Sequence, residues 1–256
     1  MKLPENRFKR AIAAGQQQIG LWNSITGTVT SELLATIGYD WLVIDTEHAL
    51  TDVPDTLGMM QAMAPYPVSA VVRPAVNDIV LIKRLLDLGA QTLLIPYVQN
   101  AEEAQAAVTA MRYPPRGMRG VALITRGSRF GQVPDYATRA EEELCLLVQV
   151  ETVEALAEIE AIAAVDGVDG IFIGPSDLAA SMGHPGNARH PEVVAAIKDA
   201  ITRIKAAGKP AGILAVDPAF AHDCIAWGTT FTAVGVDVLL LLQAAKNMRA
   251  QFNTTP

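Results

Sequence analysis

Two apolar runs in this 256-residue chain end on a carboxylate: residues 144–151 (LCLLVQVE) and 170–177 (GIFIGPSD). Runs without polar alternation predict strands buried on both faces, as in a parallel sheet. Apolar residues at helical spacing over 153–165 separate them, giving a strand–helix–strand unit. Glu151 and Asp177 then stand at the same end of neighbouring strands. Two carboxylates side by side, with room for water, suit a hard divalent cation such as Mg²⁺ or Mn²⁺. An acid at a strand end also marks a plain return to solvent, so the pair is weighed against what the other strand ends carry.

Strand patterns recur at 18–22, 41–45, 69–73, 92–96, 144–151, 169–174, 210–214 and 231–235. Helical patterns alternate with them at 31–37, 53–63, 79–88, 101–111, 153–165, 191–207 and 220–227, and 239–252 closes the chain. Most strand starts lie about 20 to 30 residues apart, the length of one βα unit. N-caps are expected at Thr30 or Ser31, at Asp52, at Asn77 or Asp78, and at Asn100; Gly89 and Gly208 sit where helices stop. Eight such units predict an α/β fold, a (β/α)₈ barrel forming one domain over 1–256. No Gly-x-Gly-x-x-Gly follows the first strand and there is no Walker loop, so a nucleotide site lacks its motif.

In such a barrel the C-terminal strand ends form the active site. Here they carry Trp22, Asp45-Thr46-Glu47-His48, Arg73-Pro74, Pro96-Tyr97, Glu151, Gly174-Pro175-Ser176-Asp177, Leu214 and Gly235-Val236-Asp237. Two metal-holding acids, an arginine and a histidine make a Lewis-acid site with an anion clamp and a base. That set suits enolisation of a 2-oxo acid. Schiff-base chemistry needs a lysine in the mouth, and the seven lysines fall on predicted helices or at strand beginnings.

The bulk numbers narrow the class. Half of the residues are hydrophobic, the net charge is −7, and only two cysteines occur. Cys145 and Cys224 read as reduced core thiols. The acidic balance argues against nucleic acid, no apolar run spans a bilayer, and the N-terminal 18 residues read as an amphipathic helix. Val238 to Leu242 reads as a buried patch. The expected compartment is the cytoplasm. Six arginines between 112 and 139 (Arg112, Arg116, Arg119, Arg126, Arg129 and Arg139) suggest an anionic ligand, a subunit contact or a solvated loop. Residues 182–187 form a turn-rich insertion at the mouth.

Together, Ile44-Asp-Thr-Glu-His48, Val72-Arg-Pro74, Leu146-Leu-Val-Gln-Val-Glu151 and Ile171-Phe-Ile-Gly-Pro-Ser-Asp-Leu178 resemble the HpcH/HpaI-type class II (metal-dependent) pyruvate aldolases, in particular the 4-hydroxy-2-oxoheptanedioate aldolase pattern. The resemblance runs nearly the whole chain, through Gly20-Leu-Trp22, Ala64-Pro-Tyr-Pro67, Arg112-Tyr-Pro-Pro115 and Ala233-Val-Gly-Val-Asp237. It implies reversible retro-aldol cleavage of 4-hydroxy-2-oxo acids to pyruvate and an aldehyde, such as succinic semialdehyde or a hydroxyaldehyde. It implies Glu151 and Asp177 as holders of a divalent metal (Mg²⁺, Mn²⁺ or Co²⁺), with no nucleotide, no PLP and no Schiff-base lysine. Arg73 is implied to steady the pyruvyl oxygen and His48 to be the base for the 4-hydroxyl. Asp45 and Glu47 are implied to order metal-bound water, and Gln149, Gly174, Pro175 and Ser176 to line the pyruvate side. Trp22 and Leu214 are expected on the aldehyde side.

Thr46 stands where many relatives have Gly, and Ser176 where many have Ala. The resemblance further pairs the histidine with Asp87, which in one barrel ends a helix on the face away from the mouth. Asp87 is therefore expected to act across a subunit interface in a homo-oligomer, a hexamer built as a trimer of dimers, with the C-terminal helix packing on a neighbouring subunit. Two other readings are a malyl- or citramalyl-type CoA-thioester lyase and a non-catalytic barrel that binds an oxo acid.

Overall fold

Strands β1 (Gln18–Asn23), β2 (Trp41–Asp45), β3 (Ser69–Arg73), β4 (Thr92–Ile95), β5 (Cys145–Val150), β6 (Gly170–Ile173), β7 (Ala211–Leu214) and β8 (Phe231–Val236) pair in sequence order, all parallel, and β8 closes on β1. The computed structural model describes residues 1–252, so the last four residues of the expected 1–256 domain lie outside the described part. Around the barrel run α2 (Thr28–Ala35), α3 (Val53–Met63), α4 (Ile79–Asp87), α5 (Ala101–Met111), α7 (Val153–Ala157), α8 (Ile159–Ala163), α10 (Pro191–Ala206) and α11 (Pro218–Trp227). Helix α12 (Asp237–Ala250) follows β8, and three more are additional to the βα alternation: α1 (Arg7–Ala13), α6 (Tyr136–Glu143) and α9 (Pro175–Ser181).

Alternation along each strand sorts side chains into two cores. Leu42 and Ile44 of β2 face the helices, whereas Trp41 and Val43 fill the barrel with Val71, Leu94, Cys145, Leu147, Phe172 and Phe231. Gly20 and Gly212 admit the large rings: a β-carbon there would lie 2.3 Å from Trp41 and 2.1 Å from Phe231. Helix α1 plugs the N-terminal end of the barrel with Phe8 and Ile12, and the Phe8 ring lies 5.6 Å from Trp41 and 5.8 Å from Phe231. Burying Phe8 stabilises this floor by roughly 1.5–3 kcal/mol. Asn6 caps α1 through Lys9 N and anchors it, donating from Nδ2 to Thr92 Oγ1 at 2.9 Å.

The caps at Asp52, Asp78 and Asn100 form as the sequence predicts. Helix α2 starts earlier than predicted, at the N-cap Gly27 rather than at Thr30 or Ser31, because Ser31 turns its hydroxyl inward onto Asn23 Oδ1. The 153–165 helix divides into α7 and α8 at Glu158. Within one chain the expected burial of Val238 to Leu242 is not found. Helix α12 leaves all five of these side chains 47–62% exposed, because it extends from β8 and no element among the described residues covers it.

Candidate active site

The same alternation places the site. Asp45 continues the inward column of Trp41 and Val43, Arg73 that of Val71, and Glu151 that of Cys145, Leu147 and Gln149. Asp45 and Arg73 are register partners across β2 and β3. Arg73 donates from Nε to Asp45 Oδ1 at 2.9 Å and from Nη2 to Asp45 Oδ2 at 2.7 Å, and its Nη1 lies 2.7 Å from Glu47 Oε2. Both members of the Asp45–Arg73 pair are buried. Burial would raise the Asp45 carboxyl, yet the Arg73 bonds and the amides of Glu47 and His48 hold it below the usual carboxylate range.

Trp22 was expected to line the aldehyde side. Instead it is buried beneath the guanidinium, 5.1 Å from ring centroid to Arg73 Cζ, and donates from Nε1 to Asp45 Oδ2 at 3.3 Å. It positions Arg73. Thr46 ties the end of β2 to β3 through its hydroxyl, which donates to Arg73 O at 2.7 Å.

Glu151 lies just past β5 and is 2% exposed. Its Oε1 accepts from Tyr97 N at 2.9 Å, and its Oε2 accepts from Gln149 Nε2. Tyr97 reaches this bond from a left-handed backbone, φ 55°, an uncommon conformation for a non-glycine residue. No sequence signal marked it beyond its place after Pro96 at a strand end. Gly174 leaves the room Glu151 occupies. Asp177, exposed in the first turn of α9, lies near enough to Glu151 and Glu47 to act on both carboxyls; Ser176 beside it is exposed, and Pro175 and Leu214 are half-buried. No helix was expected over 175–181; Pro175 stands in its first turn, where proline is well accommodated.

The charges fit a cation. Burial first, then the nearby Asp177 and Glu47 carboxylates, push Glu151 up to about 7 despite the bonds from Gln149 and Tyr97. Burial likewise raises Glu47; Arg73 and His48 counter this, and Asp45 and Asp177 add to it. Buried Gln149 Oε1 has no hydrogen-bond donor, an acceptor that water on a cation would satisfy. An all-oxygen donor pair, a raised carboxyl and an unsatisfied acceptor together match a hard divalent ion held by Glu151 and Asp177.

His48 is 66% exposed, with Nε2 3.9 Å from Glu47 Oε1. The structure does not bring Asp87 to it. Asp87 ends α4 on the opposite face and pairs with fully buried Arg119, Nη2 to Oδ1 2.7 Å. Asp237, read with the mouth acids, is instead buried against the first βα loop, accepting from Asn23 Nδ2, Ser24 N and Ile25 N at 2.9–3.0 Å.

The family model for HpcH/HpaI aldolase/citrate lyase matches residues 18–244, which include all eight strands of the barrel. The chain belongs to this family. A pyruvate aldolase of Rhizobium etli is 61% identical to it over 99% of this chain and 100% of that protein. A 4-hydroxy-2-oxo-heptane-1,7-dioate aldolase of Klebsiella pneumoniae is 55% identical over 96% and 94%. The crystal structure of an HpcH/HpaI aldolase/citrate lyase family protein from Burkholderia cenocepacia superposes with a TM-score of 0.94 at 38% identity, covering 97% of this chain and 100% of that one. The family assignment and the barrel agree with what the strand-end motifs imply.

Proposed function

We propose that this protein is a divalent-metal-dependent pyruvate aldolase that reversibly cleaves 4-hydroxy-2-oxo acids to pyruvate and an aldehyde. The observation that carries this reading is the chain of charged contacts at the strand ends: Arg73 is locked by Asp45 and Glu47, and Glu47 in turn acts with Asp177 on the buried Glu151 carboxyl. When bound there, a divalent cation supplies Lewis acidity at the 2-oxo group.

The chain's residues do the rest. Arg73 cannot swing away, since two bonds to a buried carboxylate fix its plane. Its charge steadies the oxygen that becomes negative as the C3–C4 bond breaks and the electron pair passes into the pyruvate enolate. His48 accepts the 4-hydroxyl proton as the aldehyde forms, with Glu47 Oε1 3.9 Å from its Nε2. The amides at Ser176 and Asp177, at the start of α9, receive the pyruvate carboxylate. Leu214, half-buried at the rim, offers an apolar contact on the aldehyde side.

Arginines of the 112–139 segment would favour an acidic aldehyde or a CoA thioester, but four of the six pair with this chain's own carboxylates. Any part for Asp87 in catalysis requires a second copy, and the exposed apolar side chains of α12 support a homo-oligomer in which that helix packs on its neighbour. Among the described residues no helix is long and apolar enough to cross a membrane.

The deciding experiment follows pyruvate release from a racemic 4-hydroxy-2-oxo acid with EDTA present and then with Mn²⁺ or Mg²⁺ restored. Activity that EDTA abolishes and metal restores supports the reading. Activity that survives EDTA overturns it in favour of a Schiff base, and no activity with any such acid in metal-loaded protein favours the thioester reaction.

A further inference from the structure

The loop after α9 and the start of α10 bring together three side chains that the mouth does not use. His184 follows α9, held by its amide donating to Ala179 O at 2.7 Å. His190 is the N-cap of α10, and Glu192 lies in its first turn. The two imidazoles stack, with centroids 3.5 Å apart and planes 15° from parallel. Glu192 Oε2 lies 2.8 Å from His184 Nε2 and 4.0 Å from His190 Nδ1, and one ligand atom from each residue falls within 4.8 Å of the other two.

We propose that His184, His190 and Glu192 form a second metal site, selective for a borderline transition ion such as Zn²⁺ over Mg²⁺. Two imidazole nitrogens and one carboxylate oxygen are the donors zinc takes in three-ligand sites that leave a fourth position open. Mg²⁺ prefers oxygen and keeps its water, so this trio and the all-oxygen pair at the mouth sort different ions. Ligand atoms around a tetrahedral zinc, bonded at ~2.0–2.1 Å, stand roughly 3.3 Å apart, and the 2.8 and 4.0 Å separations bracket that spacing.

Little ordering is required of the site. The α9 loop already sets His184, and the start of α10 sets His190, whose Nδ1 lies 3.4 Å from Glu192 N. The imidazoles must turn out of their stack, because an ion lies in the plane of each ring it binds, and a metal on His190 Nδ1 would replace the cap bond from Glu192 N. Partial exposure of all three side chains leaves an entry path. The plain alternative is a surface hydrogen-bond cluster, in which His184 and Glu192 pair and no ion binds.

A protein carrying Glu151→Gln and Asp177→Asn isolates the second site. Dialysed against Zn²⁺ or Mg²⁺, it is expected to retain zinc at about one per chain and no magnesium. Zinc should raise its Tm, and Cu²⁺ in its place should show nitrogen splitting in the EPR spectrum. Adding His184→Asn and His190→Asn should abolish zinc retention, the Tm rise and the splitting; asparagine preserves the helix cap at 190. Glu192→Gln, on the exposed first turn, gives a second test and should weaken zinc binding at least tenfold. Zinc retention unaffected by the histidine changes, or no zinc retained while both histidines are present, overturns the proposal. Every readout is metal binding rather than turnover, so the result is separable from the aldolase reading.

Discussion

Gly174 stands so close to Glu151 that a β-carbon at position 174 would lie 2.3 Å from the carboxylate Oε2 and 2.8 Å from the Glu151 β-carbon. Gln149 Nε2 is 3.0 Å from the same point. A side chain at position 174, just past β6, therefore cannot coexist with this placement of the Glu151 carboxylate. Gly174→Ala should displace Glu151, raise the Mn²⁺ Kd about 10–100-fold and lower kcat/KM with it. Overpacking should cost roughly 1–3 kcal/mol of stability. Titration of Mn²⁺ by EPR checks this, and an alanine variant that bound Mn²⁺ as tightly as the parent would remove Glu151 from the metal site.

Arg73→Lys keeps the charge but loses the planar fork that grips Asp45. Its kcat should fall about 10²–10³-fold with a smaller change in KM, because the lost contact grows as charge develops on the pyruvyl oxygen. Arg73→Ala leaves Asp45 buried without its partner and should cost about 3–5 kcal/mol. Steady-state kinetics and thermal melts separate the two effects. A lysine variant with parental kcat and only a lower Tm would make Arg73 purely structural.

Metal affinity should depend on pH through Glu151. In the metal-free protein its carboxyl titrates at about 7 instead of near 4.5, so the folded state holds a proton there that the unfolded chain has lost. That contribution to stability is complete below about pH 4 and is lost as pH rises through 7. Below pH 7 the proton competes with metal, so Mn²⁺ affinity should fall roughly tenfold per pH unit. Calorimetry at pH 6 and 8 in buffers of different ionisation enthalpy should register proton release only at the lower pH. Glu151→Gln should flatten the pH dependence of metal-free stability between 5 and 8; an unchanged slope would assign it to another group.

Asp87→Asn tests whether a residue on the opposite face takes part in catalysis. If a second copy presents Asp87 to His48, activity per chain should fall about 10²-fold, while sedimentation still shows an oligomer. Full activity in this variant, or an active monomeric parent, would leave Asp87 with its observed role alone, as the partner of Arg119.

Much of the architecture follows from local physics that one-dimensional patterns carry. Unbroken apolar runs mark strands buried on both faces, and strands at 41–45 and 69–73 and helices at 53–63 and 101–111 form with those bounds. Asp52, Asp78 and Asn100 cap helices because each side chain reaches amides in its own first turn. The α6 helix escaped notice because its sequence, YATRAEEE, is charged on most faces and buries only Tyr136, Ala140 and Glu143. The apolar α12 misled for the converse reason, since hydropathy records a preference for burial but not a surface to be buried against.

The residues at the mouth were legible as chemical types, because their positions after apolar runs put them at strand ends. Their working relationships were not. Alternation in a closed barrel turns Asp45, Arg73 and Glu151 inward on three different strands, and the strand register pairs Asp45 with Arg73. Trp22 beneath that guanidinium, Tyr97 offering its amide to Glu151 and Gly174 standing aside for it are contacts between segments remote in sequence. Composition and spacing name the reagents; which groups lock, shield or make room for them depends on distances set when the barrel closes.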